Sequence, residues 1–152
     1  MLDWGCMASE IKPLSATQAA ELLDQGALYI DVRTEQEFAE GHAPGALNVP
    51  LLHQGPAGMQ DNPEFLQVMQ ATFSKDTKLV VGCRSGARSR RAAGVLVQVG
   101  FTDVSDVLGG FEGGRDAFGR ALAGWRQQNL PVEPGSPAGQ TYADVKQRKP
   151  AV

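Results

Sequence analysis

At 152 residues, with 42% hydrophobic and 20% charged residues, the chain has the make-up of one ordinary globular domain and a tail. A domain of this size buries enough surface to fold without a structural metal or a disulfide, and neither a metal nor a cofactor is expected. The formal net charge of -3, with no long basic stretch, argues against a nucleic-acid surface, and no apolar run approaches the ~20 residues of a membrane span.

Residues 1–14 read as a loose leader without the basic flank and apolar run of a signal peptide. Ser15 and Gln18 have capping-box spacing and open a helix that Gly26 ends. Ala27 to Ile30 reads as a buried strand ending at Asp31. Thr34 and Glu37 repeat the capping box for a short helix through Phe38, and Gly41, Pro44 and Gly45 then break the chain. Ala46 to Val49 suggests another strand, residues 53–63 a loop, and Phe65, Leu66, Val68, Met69 and Phe73 one side of a helix.

Leu79-Val80-Val81 is the most strand-like run and stops at Gly82-Cys83. Ala92 to Val99 is helical, Val104 to Leu108 is a strand, Gly109 and Gly110 break it, and a last helix is expected from about Asp116 to Gln128. Residues 134–152 form a Pro/Gly-rich tail expected to be extended or disordered. Short apolar strands alternating with amphipathic helices predict an α/β domain with a mostly parallel sheet covered on both faces.

The chemistry-bearing segment is Gly82-Cys83-Arg84-Ser85-Gly86-Ala87-Arg88-Ser89. A cysteine between a buried strand and a helix start can receive backbone N–H groups and the helix N-terminal potential. Arg84 and Arg88 add formal charge, and such surroundings lower a free cysteine from pKa ~8.5 to ~3.5–7.5. The thiolate is the nucleophile, and Gly86 lets the backbone approach it closely. The same donors suit an oxyanion such as the sulfonate end of thiosulfate. Attack by Cys83 on its outer sulfur would leave Cys83-S-S⁻. Cys6 reads as an exposed bystander, and two distant cysteines suggest a reducing, cytoplasmic setting.

Cys83 through Ser89 resembles the active-site loop of single-domain rhodaneses, the thiosulfate sulfurtransferase-like family. Asp31-Val32-Arg33-Thr34, Glu37-Phe38 and Glu40 through Ala46 resemble its N-terminal signature; Val107 through Phe111, Trp125 and Leu130-Pro131-Val132 resemble its C-terminal one. The likeness runs from about Ser15 to Glu133. It implies a rhodanese-like fold, with a five-stranded parallel sheet flanked by helices on both faces. It also implies sulfur transfer through a persulfide on Cys83, with Arg84, Ser85, Gly86, Ala87, Arg88 and Ser89 as the cradle. Asp31 and Arg33 are expected to be structural or near the pocket. One departure is an insertion, residues 112–124, which separates Phe111 from Trp125 and offers Arg115 to an anionic substrate at the mouth. His42 reads as a hydrogen-bonded loop anchor rather than a base.

The expected partners are small sulfur donors and cyanide or thiol acceptors, thioredoxin or another thiol protein among them. Two rivals remain. A cysteine phosphatase or arsenate reductase loop needs Cys, five residues, then Arg, whereas the sixth residue after Cys83 is Ser89. A non-catalytic rhodanese-like binding module typically lacks the cysteine that is present here.

Overall fold

The computed structural model describes residues 10–148, so the reading of Cys6 lies outside it. Along the chain, β1 (Ile11–Leu14) leads into α1 (Ala16–Asp24), β2 (Leu28–Asp31), α2 (Glu35–Glu40) and β3 (Leu47–Asn48). A hairpin of β4 (Leu52–Gly55) and β5 (Gly58–Asp61) follows, then α3 (Phe65–Thr72), β6 (Leu79–Gly82), α4 (Ala87–Gln98) and β7 (Val104–Val107). A second hairpin pairs β8 (Gly114–Arg115) with β9 (Ala121–Leu122), and a 3-10 turn (Arg126–Gln128) precedes α5 (Tyr142–Lys146).

The five-stranded sheet has the order β1-β7-β6-β2-β3 and is parallel throughout. Both capping boxes form. Ser15 Oγ accepts from Gln18 N at 3.1 Å, and Thr34 Oγ1 accepts from Glu37 N at 3.1 Å, with the reciprocal side-chain bonds also made. The central strands β6 and β7 are buried along their whole length, so alternate residues feed two cores. Ile30, Leu79, Val81 and Val104 pack with α3, α4 and α5 on one face. Tyr29, Val80 and Val107 pack with α1, α2, Phe111 and Trp125 on the other. Helices thus cover both faces, as the alternation of elements requires.

Four expectations need correction. Ile11–Leu14, read as leader, forms the sheet's edge strand, the position in a sheet that tolerates Pro13. Residues 53–63 are largely a β-hairpin closed around Pro56 and Ala57. The helix expected over Asp116 to Gln128 is instead the β8–β9 hairpin and one 3-10 turn. The tail is ordered through Arg148: Thr141 caps α5, and Tyr142 and Val145 are buried against the α3 side of the core. The tail is also fixed at Glu133, whose backbone pairs with that of His42. His42 is fully buried, with Nδ1 2.8 Å from Phe38 O and Nε2 3.1 Å from Glu133 Oε1, the loop anchor that its turn position suggested.

Candidate active site

Cys83 follows the last residue of β6, at the carboxyl end of a central strand, where ligands bind in open parallel α/β sheets. Its side chain is 1% exposed. Among the described residues, Sγ has two hydrogen-bond partners: it accepts from Gly86 N at 3.0 Å, and it lies 3.4 Å from Ser89 Oγ. Gly86 precedes α4 with φ +116°, and a Cβ there would sit 2.6 Å from Leu108 O. Only glycine allows this turn, which aims the amide at the sulfur. The sequence suggested a whole ring of amides; the folded loop supplies one at hydrogen-bond distance.

The two loop arginines differ. Arg84 is exposed, as are Ser85 and Ala87, and their segment forms the rim. Arg88 is half-buried and makes a bidentate pair with Glu37: Nη1 to Oε1 at 2.7 Å and Nη2 to Oε2 at 3.0 Å. Glu37 reaches it from α2 while also closing the Thr34 capping box. Burial alone would raise the Glu37 carboxyl, but the hydrogen bonds from Arg88 and Thr34 prevail and hold it at about 2. The Glu37 hydrogen bond raises Arg88 further above its usual range, and negative charge at Cys83 adds to this.

Because Glu37 is more acidic folded than unfolded, the pair stabilises the protein above the ordinary carboxylate range, and that contribution disappears as pH falls toward 2. The stability difference between wild type and Glu37→Gln is therefore expected to be on the order of 2 kcal/mol near pH 6 and to shrink between about pH 4.5 and 2. Urea unfolding at several pH values measures it; a difference independent of pH would rule out the ionised pair.

Ser89, at the base of the loop, is fully buried and donates to Asp106 Oδ1 at 2.5 Å, with Gly86 O at 3.2 Å. Asp106 comes from β7 and is itself 2% exposed. Tyr29, from β2, lies against Gly82, where a Cβ would fall 2.0 Å from its hydroxyl. Burial, and next the Asp31 charge, keep this phenol in its neutral form.

Asp31 and Arg33 form a buried ion pair, Nη2 to Oδ2 at 2.7 Å and Nε to Oδ1 at 3.0 Å, and Arg33 Nη2 also donates to Gly41 O at 2.6 Å. Neither bonds to Sγ. Their link to the loop is indirect: Arg33 stacks 4.5 Å from the Phe111 ring centroid, and Phe111 N donates to Cys83 O at 2.8 Å. Gly110, with φ +61°, brings this segment against the loop that carries Cys83.

The β8–β9 hairpin stands beside the same loop. A Cβ on Gly114 would be 2.2 Å from Ser85 O. A cleft of about 380 Å³ is lined by Ser85, Gly86, Ala87, Arg90, Gly114 and Arg115. Arg115 is thus at the mouth, exposed, with Nη1 donating to Gly119 O at 2.9 Å. Phe118 at the hairpin tip is 83% exposed. Among the described residues, no group of three His, Cys, Asp or Glu side chains is placed to hold a metal ion.

Asp106 and the second role of Glu37 are absent from the expectations drawn from the sequence. The available signal for Asp106 was an acid inside the short strand Val104–Val107, between Ser105 and Val107. Nothing local announced the Glu37–Arg88 pair, 51 residues apart.

Cys83 at a strand–loop–helix junction, on a wholly parallel sheet, defines an α/β domain with a cysteine at the carboxyl end of a central strand. The comparisons agree. The Rhodanese-like domain profile matches residues 15–117. Thiosulfate sulfurtransferase 16, chloroplastic, of Arabidopsis thaliana is 40% identical over 120 residues, covering 79% of this chain and 91% of that protein. The protein HIGH ARSENIC CONTENT 1, mitochondrial, of the same organism is 34% identical over 108 residues, 71% of this chain and 64% of that one. The crystal structure of Rv0390 from M. tuberculosis superposes with a TM-score of 0.68 at 31% identity, covering 84% of this chain and 100% of that one. Two further relatives are longer, and the chain spans 57% of each. The chain belongs to the rhodanese-like domain family. No helix among the described residues is long and apolar enough to cross a membrane.

Proposed function

We propose that this chain is a sulfurtransferase that carries sulfane sulfur on Cys83, working in a reducing, cytoplasmic setting. The observation that carries the reading is the Gly86 amide 3.0 Å from Sγ, at the carboxyl end of a central strand in a rhodanese-like domain. That amide donates to negative charge on the sulfur, and the Arg88 guanidinium adds its field. The Cys83 thiolate attacks the outer sulfur of thiosulfate, the S–S bond breaks, and sulfite leaves with the bonding pair. Cys83-S-S⁻ remains. A thiophilic acceptor then takes the outer sulfur and returns the thiolate: cyanide gives thiocyanate, and a small thiol or a protein thiol such as thioredoxin gives a new persulfide. The cleft beside Arg90 and Arg115 offers cationic side chains to an anionic donor.

Intact mass after thiosulfate treatment tests this directly. The expected result is a gain of one sulfur atom, removed by cyanide and absent in Cys83→Ser. No gain with any persulfide donor would favour a non-catalytic module. Because one relative's name mentions arsenic, arsenate belongs in the substrate panel with an aryl phosphate. Comparable turnover of either, lost in Cys83→Ala, would reverse the ranking.

Glu37 occupies two of the five N–H groups of Arg88 and leaves the others for a donor anion. Arg88→Ala is expected to raise the thiosulfate KM about ten- to hundred-fold, the size of a lost charge-assisted hydrogen bond. An unchanged KM removes Arg88 from donor binding.

A further inference from the structure

Asp106 is a buried carboxylate whose only hydrogen-bond partner among the described residues is the Ser89 hydroxyl. Among the described residues no cation pairs with it directly; Arg90, on α4, acts through space. The neutral Tyr29 phenol of β2 lies within reach of its charge, and Cys83 meets it only through Ser89. Burial pushes the Asp106 carboxyl up, against the opposing pull of Ser89 and Arg90. An isolated carboxylate in such a site is costly unless it can take up a proton.

The Ser89 hydroxyl has one hydrogen. The 2.5 Å contact to Asp106 claims it, so Ser89 Oγ is left to accept from the Cys83 thiol at 3.4 Å. The three groups therefore form a directed chain from sulfur to carboxylate.

We infer that Ser89 and Asp106 are a proton relay for Cys83, with Asp106 receiving the thiol proton through the Ser89 hydroxyl. The S–H bond breaks as its proton bonds to Ser89 Oγ. The original Oγ–H bond breaks as that hydrogen bonds to Asp106 Oδ1. The products are the Cys83 thiolate, a Ser89 hydroxyl turned to donate to it, and a neutral Asp106 that donates to Ser89. The total charge is -1 before and after, so no co-reactant is needed. The negative charge moves from a sealed carboxylate to a sulfur that already accepts from Gly86 N. Asp106 holds the proton through turnover, because Cys83-S-S⁻ is itself an anion and its discharge returns the thiolate. The inference rests on the reading of Cys83 as the nucleophile.

The test is the pH dependence of Cys83 alkylation by iodoacetamide on the full chain, with peptide mass mapping to separate Cys6. One proton shared between two sites gives wild type a two-step rise in rate with an intermediate plateau. Ser89→Ala breaks the chain: a single rise moved to higher pH, and a rate at least tenfold lower at the plateau pH. Asp106→Asn removes the opposing charge and can still donate to Ser89: a single rise moved the other way. A single-step wild-type profile, or two variants that both keep the wild-type profile, overturns the relay. Infrared spectroscopy at the plateau pH needs no variant to fold. A protonated-carboxyl stretch lost when Cys83 is alkylated supports the relay, and its absence overturns it. Sulfur loading separates the two readings. A loaded protein with a one-step profile discards only the relay, and a two-step profile without loading discards only sulfur transfer.

Discussion

Arg33→Ala is expected to lower the unfolding free energy by about 3–5 kcal/mol, because it strands the Asp31 carboxylate in the interior without its partner. The two side chains are 4% and 2% exposed, so water cannot replace the guanidinium. The same change removes the donor to Gly41 O and the cation stacked on Phe111. Its effect should reach the reaction, since Phe111 N holds the carbonyl of Cys83. The midpoint of urea unfolding, with kcat measured at saturating donor, tests both parts. Replacing the pair together, Asp31→Asn with Arg33→Met, should recover a large part of the stability, because no bare charge remains. A loss below about 1 kcal/mol for the single change would mean that the pair is solvated like a surface bridge.

The second large effect belongs to Gly110→Ala. The backbone there has φ +61°, and the added methyl would lie 2.5 Å from Arg84 O and 2.8 Å from Cys83 O. Those are main-chain atoms of the loop that carries Cys83 and cannot swing aside as a long side chain can. Holding a non-glycine residue in the left-handed region costs about 1–3 kcal/mol before the clash is counted. Relief of the clash must move the peptide that carries Cys83. We therefore expect sulfur loading of Cys83 to slow more than tenfold, together with a loss of stability. Gly135→Ala is the control. It has φ +89° with no neighbour within 4 Å of the added carbon, so it should show the conformational cost alone and load at the wild-type rate. Equal loading rates in the two variants would separate the Gly110 segment from the chemistry.

How far the sequence could be read depended on how local each determinant was. The capping boxes at Ser15 and Thr34 were legible because donor and acceptor are three residues apart. The strand Leu79–Gly82 was legible because both of its faces are buried, which makes every residue apolar or small. The β4–β5 hairpin was not: His53, Gln54, Gln60 and Asp61 give it no apolar alternation, and only its turn residues stood out. The β8–β9 hairpin is shorter still, two paired residues on each side, and its alanines and leucine look as helical as they look extended. α5 hid among prolines and glycines, although Thr141 and Asp144 carry a cap spacing.

The site divides in the same way. Cys83, Gly86 and Arg88 were visible as a motif. What Arg88 touches was not, because Glu37 arrives from another helix and was already accounted for as a capping residue. Asp106 was concealed by its strand, where an acid between Ser105 and Val107 gave no hint of a hydroxyl 2.5 Å away on α4. Long-range polar pairing of this kind is set by the fold and leaves no short-range pattern.

The seating of Tyr142 has a practical consequence for anyone trimming this protein. Its hydroxyl accepts from Asn62 and donates to Glu64, while Gln140, two residues earlier, caps the exposed edge of β3 through the Asn48 amide. A truncation placed after Glu133 would open the α3 side of the interior and leave a strand edge unpaired. Shortened versions are then expected to clump rather than to shed a dispensable appendage.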